Sequence, residues 1–261
     1  MEQPSDERAE LQARNRWPVV VPLIVAFLAS LVIRFFDLDR KISELHYDSV
    51  RQLWPCERAD PWLSFYRYGT YPPVILGAVG GAVFLFGRRL WPSLDERQLK
   101  LLRLNGLFLA LMLIIGPGLV VNLGLKSLVG RPRPLQCQEF DGQMAFRHVG
   151  EIAAHKFPNS SFPSGHAAVA FFMMAPGFLV GSNRPLARAA WILGGIFYGI
   201  AMGFTRVLQG GHFVSDVLWA GVIVYLVGGG LANLLLSRES RYGLVVDSLK
   251  VQDSISVAPT S

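Results

Sequence analysis

Residues 106–126 read GLFLALMLIIGPGLVVNLGLK, twenty positions without a charge closed by a lysine. As a helix, twenty residues rise ~30 Å, the thickness of a bilayer's hydrocarbon core. Five comparable apolar runs cover 17–36, 68–87, 167–181, 189–204 and 217–236. The sequence therefore predicts an all-α polytopic membrane protein with six transmembrane helices. Its expected parts are a cytoplasmic segment 1–16, a six-helix membrane domain 17–236 and a cytoplasmic polar tail 237–261. Of the six runs, 167–181 and 189–204 are the shortest. Composition agrees with the membrane reading, because 51% of the 261 residues are hydrophobic and only 17% charged, a poor balance for a water-facing domain.

An even number of spans puts both termini on one side of the membrane, and the notable polar residues fall on the other. Lys126 closes the third span, His166 opens the fourth, Arg206 closes the fifth, and His212 and Asp216 lead into the sixth. Unrelated polar residues would scatter over both faces. Setting aside Lys126, Arg131, Arg133 and Arg206, thirteen Lys and Arg lie on the terminal side against eight on the other, so the positive-inside rule makes the termini cytoplasmic. Arg88, Arg89, Arg97, Lys100 and Arg103 in one short loop add weight. The cluster then faces outward, towards the periplasm if the chain sits in a bacterial inner membrane. The acidic opening with Glu2, Asp6, Glu7 and Glu10 is unlike a secretory signal, and the first run reads as an uncleaved helix. The net charge of +6 is dispersed and forms no basic stripe, which argues against a nucleic-acid partner.

The clustered residues suit a phosphate ester. Lys126, Arg133 and Arg206 offer cations, of which arginine makes bidentate contacts and lysine a compact charge. Ser164 can donate a hydroxyl, and Gly165 lets the backbone approach beside a helix start that favours anions. His212 precedes Asp216 by one helical turn, so the carboxylate can hold one ring nitrogen while the other attacks phosphorus. His166 can act as acid and base. Held mid-bilayer, each charge would cost roughly 2.5–3.5 kcal/mol, and placement at span ends avoids much of that. No group of residues has metal-ligand spacing, so neither metal nor other cofactor is expected.

Lys126-x6-Arg133-Pro134, Pro163-Ser164-Gly165-His166 and Arg206-x5-His212-x3-Asp216 resemble, in order, the three signature motifs of the type 2 phosphatidic acid phosphatase (PAP2) superfamily, over roughly residues 100–236. The resemblance implies the helical core shared with vanadium haloperoxidases and metal-independent hydrolysis of a phosphorylated membrane lipid. It implies a phosphohistidine on His212, oriented by Asp216, with His166 as acid/base and Lys126, Arg133, Ser164, Gly165 and Arg206 around the phosphate. Phosphatidic acid, phosphatidylglycerol phosphate, undecaprenyl pyrophosphate and lipid A are all admitted as substrates. Thr205 stands where the third motif usually has serine. Arg131-Pro132 repeats the Arg-Pro step two residues early, which makes Arg131 a second candidate for the phosphate. A lipid phosphotransferase using the same phosphohistidine, and a transporter or scaffold with charges along a path, are the rival readings.

Other segments carry weaker expectations. Ile42, Leu45, Val50, Leu53 and Trp54 make the first outer loop amphipathic, suited to the interface or to packing on the bundle. Gly195, Gly199 and Gly203 form a small-residue stripe for close helix contact, and Pro176 predicts a kink. The long segment 135–162 suggests a lid, with Phe140, Phe146 and Phe157 as acyl-chain contacts. Cys56 and Cys137 share one compartment, which is compatible with a disulfide or with two free thiols.

Overall fold

The computed structural model describes residues 17–152, 160–181 and 183–236. The expected segments 1–16 and 237–261 lie outside the described residues, as do Phe157 and its neighbours from 153 to 159. Every regular element among the described residues is helical, and the only extended pairings there are isolated bridges at Asp48–Leu53 and Cys137–Met144.

Helix α1, Trp17–Phe35, is apolar along its length and leaves Val25, Phe27 and Leu28 more than half exposed, the surface of a helix bathed in lipid. The chain then bends by 64° into α2, Leu38–Glu44, with Asp37 in the left-handed conformation at the corner. Short α3, Trp62–Tyr68, leads into α4, Tyr71–Leu90. On the return, α5, Glu96–Leu113, starts at a capping box in which Asp95 accepts from the Gln98 amide at 2.7 Å. It widens into a π-helical stretch, Ile114–Leu125, and ends as the turn α6, Lys126–Val129. Pro117 has no amide to give, and the wider turn leaves its own carbonyl to accept from the Asn122 side chain at 2.7 Å. This stretch delivers Lys126 to the end of the bundle at which the last long helix, Val214–Leu235, begins.

The fourth expected span is different in kind. Helix α7, Gly165–Phe171, tightens to a 3-10 turn at Phe172–Met174 and resumes as α8, Ala175–Leu179. Pro176 sits in the first turn of α8, where a missing amide costs nothing. Ala167, Ala168, Ala170, Phe171, Phe172, Met174, Ala175 and Phe178 are all buried, so this segment is a central post enclosed by protein. Helices α9, Pro185–Leu208, and α10, Val214–Leu235, enclose it. Gly195 lies against the backbone of Met173 and Met174, Gly199 against the Phe171 ring and Gly203 against Val217, which is the close packing expected of the stripe.

Of the six expected spans, the described residues bear out the membrane-spanning helical design and not the full count. Four helical stretches among the described residues are long and apolar enough to cross a membrane, Trp62–Leu90, Glu96–Gln136, Pro185–Leu208 and Val214–Leu235, and the bent pair α1–α2 makes a fifth. The run Gly165–Leu179 is shorter. Hydropathy alone reads a core helix and a span alike.

Candidate active site

Asp216 lies at the start of α10, fully buried. Its carboxylate accepts from Arg131 Nη1 at 2.6 Å, from the Phe213 amide at 2.8 Å and from the Ser161 hydroxyl. Arg131 is itself fully buried and spans two acids, because Nη2 donates to Asp39 Oδ2 of α2 at 2.8 Å. Its remaining donors reach Ser215 Oγ at 2.7 Å and the Arg147 carbonyl at 3.0 Å, and its guanidinium lies 4.3 Å from the Phe213 ring centroid. Asp39 in turn accepts from the Ser215 amide at 3.0 Å and hydroxyl at 2.6 Å. The second-candidate reading of Arg131 is thus corrected, since its donors are committed inside the protein.

His212 sits in the loop 209–213 between α9 and α10, 1% exposed. Its Nδ1 is 3.6 Å from Asp216 Oδ2 and 3.4 Å from Ser161 Oγ. The carboxylate is close enough to fix which nitrogen it faces, and a small closure would make the hydrogen bond, as apo sites often require. Nε2 is left on the opposite edge of the ring. Burial pushes the His212 imidazole down to about 3, against the pull of the Asp216 carboxylate and helped by the charges of Arg206 and Arg133. Desolvation thus outweighs the carboxylate, which by itself favours the charged ring.

Around this ring gather the other motif residues. Ser164 caps α7, accepting from the Ala167 amide at 3.4 Å, and its own amide donates to the Asp216 carbonyl at 3.1 Å. The hydroxyl proton of Ser164 remains to donate. A Cβ on Gly165 would collide with Asn122 Oδ1 and stand 3.0 Å from Lys126 Nζ, so the missing side chain is what lets the lysine in. The charges of Arg133 and Arg206 both reach Lys126, and all three reach His166. Arg206 is 7% exposed; Nη1 donates to Gln209 Oε1 at 2.6 Å, Nη2 packs over Gly211, and Nε is buried without a hydrogen-bond partner among the described residues. No ion pair holds Arg206 or Lys126 among the described residues. The expected site residues Lys126, Arg133, Ser164, Gly165, His166, Arg206, His212 and Asp216 are brought to one place, half-buried or buried.

The loops above the site pack on one another through an aromatic cluster. Trp54 and Phe140 pack at 5.3 Å between centroids, Tyr47 lies 5.3 Å from Trp54, and Phe146 lies 5.3 Å from Phe213. Phe140 is 3% exposed, and so it is a member of this cluster closed to an acyl chain. Phe146 packs against the same cluster. In the first outer loop Trp54 is buried and Ile42 packs on the core, the bundle-packing alternative, while Leu45 and Val50 stay exposed. Gly210, with φ 64°, lies directly under the Trp54 ring. Cys56 and Cys137 are free, and the buried Cys137 thiol, pushed up to about 12 mainly by burial, donates to the Arg133 carbonyl at 3.2 Å.

Comparison with known proteins agrees with this geometry. The family model of the PAP2 superfamily matches residues 105–239, and a lipid A 4'-phosphatase of Francisella tularensis subsp. novicida is 30% identical over 229 residues, 87% of this chain and 99% of that protein. The chain belongs to the PAP2 superfamily. It is a multi-pass membrane enzyme, a lipid-phosphate phosphatase of the PAP2 type. A lipid A 4'-phosphatase of Rhizobium leguminosarum is 35% identical over 127 residues, 49% of this chain and 53% of that one. A lipid A 1-phosphatase of Rhizobium etli is 37% identical over 133 residues, 51% and 50% of the two chains. No solved structure matches the chain significantly.

Several residues of this PAP2 site were invisible in the sequence. Asp39 contacts Ser215 across 176 positions, and nothing local marks it. Ser161 belongs to none of the three motifs, although its place two residues before Pro163 is a usable signal. Tyr66, which lies against both His166 and Arg206, sits outside every motif.

Proposed function

We propose that this PAP2 protein removes the 4'-phosphate of lipid A, by a phosphohistidine on His212, at the periplasmic face of a bacterial inner membrane. The observation that carries the reaction is the contrast between two buried arginines. Arg131 is neutralised by two carboxylates, whereas Arg206 and Lys126 hold no ion pair among the described residues and both bear on His166. Uncompensated buried cations are costly, and a phosphate supplies the missing charge. The lipid A 4' reading is supported by the Francisella relative, whose similarity runs through nearly its whole length and so reaches beyond the motifs.

In this reading Nε2 of His212 attacks phosphorus while Nδ1 faces Asp216, and the bond from phosphorus to the lipid oxygen breaks. His166 gives its proton to the leaving alkoxide. It then takes a proton from water, whose oxygen attacks phosphorus and breaks the P–N bond, releasing inorganic phosphate and neutral His212. Lys126, Arg133, Ser164, Gly165 and Arg206 surround the charge that develops on the transferring group. Asp216 stabilises the positive ring of the intermediate.

The test is phosphate release by purified protein from lipid A and a panel of other phosphorylated lipids, with mass spectrometry of the products. Loss of the 4'-phosphate, undiminished by EDTA, is expected, together with radiolabel trapped on the wild type but absent from His212→Ala. Label on the mutant moves the nucleophile elsewhere. Transfer of label to a second lipid without phosphate release makes the protein a phosphotransferase.

A further inference from the structure

Tyr66 lies outside the three motifs and outside both hydrophobic clusters of the described residues. Its ring centroid is 4.3 Å from the Arg206 guanidinium carbon and 4.7 Å from the His166 ring centroid, with the two ring planes inclined by 36°. One side chain of α3 thus touches the principal buried cation and the second histidine of the site.

The anchoring of α3 is done by its other residues. Trp62 packs on Phe204 at 5.8 Å, Phe65 packs on Tyr198 at 5.6 Å, and the Tyr198 hydroxyl donates to the Gly69 carbonyl at 2.7 Å. All three contacts go to α9. They hold the helix so that Tyr66, on a neighbouring position, turns to the site half-buried. Its ring is therefore available for a task other than packing α3.

We propose that Tyr66 is a positioning residue which orients Arg206 and His166 together while leaving the full charge of Arg206 for the substrate phosphate. The physical reason lies in the alternatives. A carboxylate beside Arg206 would fix its geometry and cancel its charge, as Asp39 and Asp216 do for Arg131. An aromatic face attracts a guanidinium through its quadrupole and carries no net charge, so it fixes orientation without competing with an anion. Gln209 holds one end of the guanidinium and the bare backbone of Gly211 admits the other. Tyr66 supplies the remaining face. Because the same ring stacks on His166, a displacement of one group is felt by the other.

This inference rests on the phosphate reading of the site, and its test separates the two. Binding of orthovanadate to full-length protein in detergent, followed by titration calorimetry, needs no knowledge of the natural lipid. Tyr66→Phe keeps the ring and is expected to bind vanadate within twofold of the wild type, while Tyr66→Leu binds about tenfold more weakly, the scale of one desolvated cation–π contact. In an Arg206→Gln background Tyr66→Leu should add less than twofold, because its partner is gone. Where a lipid substrate is turned over, kcat falls in Tyr66→Leu and recovers in Tyr66→Phe. Multiplicative losses in the double variant would reduce Tyr66 to packing and overturn the proposal, as would equal binding by Tyr66→Leu and wild type. Absence of vanadate binding by the wild type overturns the phosphate reading and this proposal with it. Strong vanadate binding with no release of phosphate from any lipid overturns the hydrolytic reading alone.

Discussion

Arg131 and Arg206 are both buried, yet opposite surroundings assign them opposite tasks, and this gives a prediction at the scale of single residues. Arg131→Met leaves Asp39 and Asp216 buried without their cation, a change that costs roughly 3–5 kcal/mol. Arg206→Met deletes a cation that no ion pair holds among the described residues, so its thermal midpoint in detergent should stay near that of the wild type while activity is lost. Equal midpoints for the two variants would contradict the assignment. His212 carries a second prediction. With burial holding its ring at about 3, below the ordinary value near 6.5, the unfolded chain binds the extra proton first as pH falls. The contribution of neutral His212 to stability is complete above about 6.5 and is lost as pH falls from there towards 3. NMR of labelled histidine should find the ring neutral at pH 5, and a charged ring at that pH would show that Asp216 outweighs desolvation after all. The motif letters named the residues that meet at the site, and the six-residue spacing from Lys126 selected Arg133 over Arg131. Asp39 and Tyr66 went unseen because their partners are distant in sequence and leave no local period or spacing to read.

At the scale of elements, legibility followed environment. Long lipid-facing helices announced themselves by hydropathy, and the glycine stripe of α9 announced its packing. The segment α7–α8 did not, since a short helix buried in protein is as apolar as one crossing lipid, and only its length of ~22 Å at 1.5 Å per residue separates the two. The segment 135–162 stood out by its length but not by its contacts, which for its described residues run to Trp54 in another loop. That cluster makes a prediction. Trp54 covers Gly210, two residues before His212, so Trp54→Ala removes the roof of the catalytic loop. Truncating a buried aromatic costs about 3–5 kcal/mol, here concentrated in the loops instead of the spans. Helix content by circular dichroism should be unchanged and phosphatase activity should fall at least tenfold, with Trp54→Phe recovering much of it. Full activity in Trp54→Ala would make the aromatic cluster irrelevant to the site.

For the whole molecule the open question of sidedness has a geometric handle. The motif residues converge at one end of the bundle, where Lys126 ends its stretch and α10 begins. The loop 91–95 lies at the far end of α4, a helix of 20 residues, hence ~30 Å away. Thirteen Lys and Arg against eight argue for that far end in the cytoplasm, and the proposed reaction on a lipid phosphate presented to the periplasm requires the same orientation. Ala145 and Ser93 are exposed at the two ends. In a background with Cys56 and Cys137 replaced by serine, Ala145→Cys should react with a membrane-impermeant maleimide when only the outer membrane is opened. Ser93→Cys should react only after lysis of the inner membrane. The reverse pattern would turn the site to the cytoplasm and confine its substrates to lipids of the inner leaflet.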